Sequence, residues 1–176
     1  MKPIQVLPLG VGLDLVEQVS AALARIFRTP CRIRPEGFDL TFARDERRGQ
    51  YYSTAILQKL DAMSAPGTRL LAVTDADLYV PVLTYVFGEA QLDGACAIVS
   101  TARLKDEFYG LPPSPELLRE RLLKEAAHEI GHTFGLRHCV NWNCVMASSH
   151  AVEILDIKGA EFCKSCRKPI AESSYW

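Results

Sequence analysis

The period of the apolar positions changes several times along this chain, and each change marks an element. Residues 4 to 9 (IQVLPL) form a short apolar run that predicts a buried strand. Over residues 11 to 29 the period lengthens: Leu13, Val16, Val19, Leu23, Ile26 and Phe27 stand three and four apart, the stripe of a helix that Pro30 stops. Cys31 and Ile33 then alternate with Arg32 and Arg34, which predicts a short strand with one wet face. Residues 35 to 50 carry more charge and read as a surface connection. Ile56, Leu57, Leu60 and Met63 give a second helix over residues 52 to 63, closed by the turn Ala65-Pro66-Gly67, and RLLAVT at 69 to 74 is a strand of the kind buried within a sheet. This alternation of strand and helix predicts parallel pairing with helical crossovers.

Two further strands are expected at residues 83 to 87, ended by Gly88, and 95 to 99. Asp75 and Asp77 follow the 69 to 74 strand and are expected to cap the next turn rather than to hold a cation. Residues 101 to 115 connect to a long helix that Ser114 caps, with Pro115 at its first position and Glu116 beside its positive end. Running to about residue 134, with Leu118, Leu122, Ala126 and Ile130 inward, that helix would be about 27 to 30 Å long.

Near the end of this rod the sequence reads HEIGHTFGLRH. His128 and His132 are four apart and share one helical face, so both can grip one metal ion without adjustment of the backbone. Glu129 is one position on, near enough to take a proton from a metal-coordinated water but turned from direct coordination. Gly135 allows the left-handed turn that would bring His138 back as a third ligand. Three histidines leave a tetrahedral zinc one place for water, which marks a catalytic site. A lone HExxH is also found in ordinary structural helices; the glycine and third histidine at these offsets separate the two cases.

Composition narrows the setting. A chain of 176 residues fits one domain that buries roughly 70% of its unfolded surface. Lysine and arginine number 20 against 21 acidic residues, so no net field points to nucleic acid. No apolar stretch approaches a membrane span, and the start, broken by Pro3 and Pro8, reads as a strand rather than a signal peptide. A cytoplasmic protein without membrane attachment is expected, monomeric because no heptad repeat or long apolar strip is present. In that compartment thiols stay reduced, so the six cysteines call for a role other than disulfides. Cys31 and Cys96 are isolated and read as small core residues. Cys139 and Cys144 pair with the CxxC of Cys163 and Cys166 in a pattern that suits all-sulfur zinc, while iron, a redox pair or two disulfides stay open on spacing alone. Because Cys139 follows His138 directly, one residue would face each site, and the sulfur-bound ion would fix the backbone that aims the third histidine.

HEIGHTFGLRHC, NWNCVM and FCKSC together resemble the archaemetzincins, a branch of the metzincin clan of zinc peptidases, and RRGQYYS, TDADLY and VFGEA extend the likeness over nearly the whole chain. The resemblance implies an α/β metzincin-like fold: a twisted mixed sheet with helices and the active-site helix in residues 1 to 135, then a smaller subdomain, 136 to 176. A cleft lies between them. It implies His128, His132 and His138 as catalytic zinc ligands, Glu129 as base, Met146 as the residue of a Met-turn beneath the metal, and a structural zinc on Cys139, Cys144, Cys163 and Cys166. One cleft-rim strand is expected to run antiparallel, for which residues 83 to 87 are the candidate. Where some metzincins place a zinc-binding tyrosine after the turn methionine, this chain has Ser148.

The function expected is hydrolysis of peptide bonds in peptides or flexible protein segments; the alternative is a zinc-dependent binding or regulatory protein that cleaves little. His150 is the nearest extra donor for a developing oxyanion, although an ordinary surface histidine is the simpler reading. The four-cysteine unit is a poor nucleic acid binder, since Lys158 is its one basic residue between Cys144 and Cys163, among Glu153, Asp156 and Glu161.

Overall fold

In the computed structural model, which describes residues 2–172, the chain opens with strand β1 (Ile4–Leu9), helix α1 (Leu13–Phe27) and strand β2 (Cys31–Ile33). Met1 and residues 173 to 176, the last of the expected C-terminal subdomain, lie outside the described residues. There follow β3 (Arg44–Asp45), β4 (Gln50–Tyr52), α2 (Ser53–Met63), β5 (Arg69–Thr74), β6 (Leu78–Tyr79), β7 (Gly88–Ala90) and β8 (Cys96–Ser100). The chain continues through α3 (Pro115–Thr133), α4 (Val152–Ile157) and α5 (Lys164–Glu172).

The main sheet has the order β2-β1-β5-β8-β7, with β7 antiparallel and the rest parallel. Side chains two apart along a strand share a face, and the core divides accordingly. Ile4, Val6, Leu71, Val73, Ala97 and Val99 pack with α1 and α3, whereas Leu7, Leu9, Leu70, Ala72, Cys96 and Ile98 pack with α2. Every residue of β5 and β8 is buried, which explains their unbroken apolar runs. The mixed sheet with helices on both faces agrees with the fold expected.

Several expectations need correction. The rim strand is Gly88–Ala90, not residues 83 to 87; it begins at the glycine expected to end it. Residues 83 to 87 are irregular and bent, with one isolated bridge from Val86 to Leu78. The stretch 35 to 50 is not only a connection, because β3 and β4 form a small second sheet with β6. Among the described residues Asp77 caps no turn: it accepts a two-pronged ion pair from Arg103 at 2.7 and 2.8 Å, and a further hydrogen bond from Gln50. Its partners are 26 and 27 residues away in sequence, so no local pattern could announce them.

Helix α3 starts as expected: Ser114 Oγ accepts from the Leu117 amide at 3.4 Å and Pro115 is the first helical residue. Leu122, Ala126 and Ile130 are buried and Leu118 half-buried. Charged residues of the same helix are buried too. Arg121 forks onto Asp156 at 2.7 Å on each prong and also binds Asp106, while Lys124 donates to the Leu155 and Asp156 carbonyls. Lys158 extends to Glu125 at 3.0 Å. Arg121, Lys124 and Glu125 thus bolt the helix to α4 and to Lys158 just after it, and its far end is held where Arg69 donates to Thr133 and stacks 3.5 Å over Phe134.

Candidate active site

The end of α3 sets the site. Leu136 N donates to the Gly131 carbonyl and Gly135 N to the His132 carbonyl, the two bonds of a Schellman turn, and Gly135 takes φ +78°. This reversal brings His138 back over the helix, so that its ring centroid lies 5.2 Å from those of both His128 and His132. The ligand atoms of the three histidines all lie within 4.8 Å of one another.

Two backbone carbonyls orient the first two rings. His128 Nδ1 lies 2.8 Å from the Val145 carbonyl and His132 Nδ1 2.7 Å from that of Leu136. A carbonyl only accepts, so each Nδ1 carries its ring's proton and each Nε2 presents a lone pair. The two Nε2 atoms face each other at 3.1 Å. Nitrogens about 2.0–2.1 Å from a tetrahedral zinc stand roughly 3.3 Å apart, so the pair fits a shared ion, and without a cation the two lone pairs would repel. Burial, and next the positive charge of Lys158, holds His128 well below the ordinary imidazole pKa, and burial also lowers His132. Both are therefore kept in the neutral, ligating form.

Glu129 is buried and its carboxyl is raised well above the usual range, first by burial and then by the charge of Glu125, with Lys158 opposing. Gly88 on the rim strand approaches it so closely that an added Cβ would stand 2.7 Å from Glu129 Cγ and 2.7 Å from the Ile98 carbonyl. Beneath the helix Met146 is fully buried, and a Cβ on Gly131 would collide with its Sδ. The methionine is therefore seated against the helical turn between the two histidines.

The second cluster is next door. Cys139, Cys144, Cys163 and Cys166 place their sulfurs within 4.8 Å of one another, and all six cysteines are free thiols. The Cys139 and Cys163 sulfurs are 3.8 Å apart, too far for a disulfide and close to the roughly 3.8 Å edge of a tetrahedron with 2.3 Å zinc–sulfur bonds. Backbone donation from Cys166 is the main cause holding the Cys163 thiol down to about 7. Cys139 N donates to the Met146 carbonyl at 2.9 Å, so the backbone carrying His138 is pinned to the methionine turn. Cys31 and Cys96 stay apart, their thiols pushed up by burial to about 12 and about 11.

A cleft of about 730 Å³ lies over the histidines. Leu83 to Ala90 and Leu92 form one wall; Ser148, Ser149 and His150 form part of the other, with Glu125 and Arg137 also lining it. His150 is exposed at this wall, and its carbonyl accepts from the Tyr85 hydroxyl. Sequence reasoning missed Tyr85, Gly88, Glu125 and Lys158. Glu125 lies one helical turn before Glu129, and that spacing was the one available signal; the others depend on contacts between distant segments.

Neutral imidazoles with converging lone pairs, beside a buried carboxylate and below an edge strand, are the equipment of a metal-dependent peptidase. Comparison with known proteins makes the class specific. Residues 29–172 match the profile of Peptidase family M54, and the chain belongs to that family, the archaemetzincins. The archaemetzincin of Methanocaldococcus jannaschii is 44% identical over 142 residues, 81% of this chain and 78% of that one. The crystal structure of Archaeoglobus fulgidus archaemetzincin complexed with malonate aligns with a TM-score of 0.83 at 39% identity, covering 95% of this chain and 99% of that one. A zinc-dependent peptidase from Methanocorpusculum labreanum aligns at 0.88 with 34% identity, over 95% and 99%. The protein is a zinc metallopeptidase.

Proposed function

We propose that His128, His132 and His138 hold the catalytic zinc, that Glu129 is the general base, and that Cys139, Cys144, Cys163 and Cys166 hold a second, structural zinc, making two ions per chain. The observation that carries this reading is the 3.1 Å approach of two Nε2 lone pairs whose rings are protonated on the opposite nitrogen. When bound, zinc supplies a Lewis acid that polarises the scissile carbonyl and makes water acidic enough to ionise near neutral pH. Glu129 accepts the proton of the attacking water and returns it to the leaving amine, and burial makes its carboxylate the stronger base. The outer edge of β7, last in the sheet order, offers backbone groups to an extended peptide. Met146 forms the floor of the site, and Ser148 offers no phenol to it.

Functionally the chain divides after Gly135, into residues 1–135 with the sheet and active-site helix and 136–176 with the third histidine, the methionine turn and the sulfur site. Substrates are peptides or flexible protein segments. Nucleic acid is not a partner, since Lys158 is spent on Glu125 in the interior. No membrane partner is proposed, and among the described residues no helix is long and apolar enough to cross one. The free thiols suit a reducing cytoplasm, and the protein acts as a monomer.

Metal analysis with X-ray absorption, combined with mass spectrometry of a peptide mixture, tests the assignment. Two zinc ions are expected, one with nitrogen and oxygen neighbours and one with sulfur alone. Glu129→Ala should keep both ions and lose about 10²–10⁴-fold in hydrolysis; unimpaired hydrolysis by the zinc-loaded variant refutes the assigned base.

A further inference from the structure

We propose that Tyr85 is a crossbar over one end of the catalytic cleft, and that it confines this peptidase to substrates presenting a nearby free chain end on that side. The proposal rests on the peptidase reading above and names the substrate class of the same site.

The Tyr85 hydroxyl donates to the His150 carbonyl at 2.7 Å, across 65 positions of sequence. It joins the two walls of the cleft, residues 83 to 92 and 148 to 150, and among the described residues no other hydrogen bond does so. The ring is held independently of that bond. The Arg103 guanidinium lies 4.2 Å over it, itself forked onto Asp77, and Phe87 packs edge-on at 5.4 Å. A phenol clamped on two sides is a fixed bar rather than a swinging side chain.

Its place relative to the chemistry follows from Gly88, which lies against Glu129. Tyr85 is three residues along the rim from there, so the reach of the chain puts the bar within roughly 11 Å of Gly88. That interval holds up to about three substrate residues. At the other end of the rim, Asp93 N donates to the His132 carbonyl and the turn packs on Gly135; there exposed Leu92 and Arg137 line the cleft, and among the described residues no hydrogen bond joins its two walls. The cleft is open on one side of the metal ligands and barred on the other. A continuous chain running through it must break the Tyr85 bond, whereas a chain end need not.

The test measures binding by zinc-loaded Glu129→Gln protein, in which peptides stay intact. The probes are short random-sequence peptides, free at both ends or fused to a small folded protein at the amino end, the carboxyl end or both. Fusion at one particular end should weaken binding about fivefold, the worth of the hydrogen bond that must open. Adding Tyr85→Phe, which keeps the ring and removes the hydroxyl, should abolish that difference, read as the ratio of fused to free affinity. A merely structural tyrosine would shift all four probes together. The proposal is overturned if fused and free peptides bind equally with Tyr85 present, or if the ratio is the same in the phenylalanine variant. Hydrolysis of the free peptides by protein with Glu129 intact reports separately on the peptidase reading.

Discussion

Replacing Lys158 by methionine isolates the electrostatics of the pair beneath the active site. The Lys158 side chain is 1% exposed and its ammonium lies 3.0 Å from Glu125 Oε1 and 3.2 Å from the Ala147 carbonyl, while the Glu125 side chain is 5% exposed. Methionine fills nearly the same channel, so little packing is lost and the cost is that of an uncompensated buried carboxylate. Removing one partner of a buried pair costs about 3–5 kcal/mol. For a protein of this length, that lowers Tm by about 6–20 °C. Replacing both residues, Glu125→Leu with Lys158→Met, removes the stranded charge and should recover most of the loss, to within about 2 kcal/mol of wild type. Burial already raises the Glu125 carboxyl, and Lys158 is the chief influence lowering it. Without Lys158 the folded-state pKa climbs further above the unfolded value, so the native state binds the extra proton. The stability penalty of the single variant is therefore smallest in acid and grows as pH rises through the raised pKa. Urea unfolding of equally zinc-loaded proteins, from mildly acidic to mildly alkaline pH, measures both effects. A single variant that loses less than about 1 kcal/mol, or a double variant no more stable than the single, would refute the reasoning.

Three further outcomes follow from the geometry. Gly131→Ala should destabilise by about 1–3 kcal/mol in urea unfolding despite alanine's better helix propensity, because the new methyl meets Met146 and stands 3.2 Å from Phe162. Cys163→Ser should lower zinc at the histidine site as well as the sulfur site, since Cys139 adjoins His138 and is tied to Met146; normal occupancy of the histidine site would contradict this coupling. In metal-stripped protein near neutral pH, iodoacetamide should label Cys163 first, its thiol standing at about 7. Cys31 and Cys96, at about 12 and about 11, should resist until the chain unfolds; peptide mapping over time gives the order.

Local pattern was enough for much of this molecule. The strands at 4–9 and 69–74, the capped helix from Pro115 and the offsets of His128, Glu129, His132, Gly135 and His138 are all short-range features, set by side-chain period, by a cap, or by the one residue that tolerates φ +78°. Four cysteines in two close pairs likewise announced a cluster, because each pair needs only a short loop to converge. Tertiary structure decided what depends on partners far along the chain. Arg121, Lys124 and Glu125 look like the wet face of a helix, yet they are buried because α4 and Lys158 supply their counterparts. The rim strand moved to Gly88–Ala90 because its register is set by β8 and by the room beside Glu129, where only a glycine fits. Tyr85 was one aromatic among several until the fold brought His150 across from it. Period and spacing are properties of neighbours in the chain; burial of a charge, and the closing of a cleft, are properties of neighbours in space.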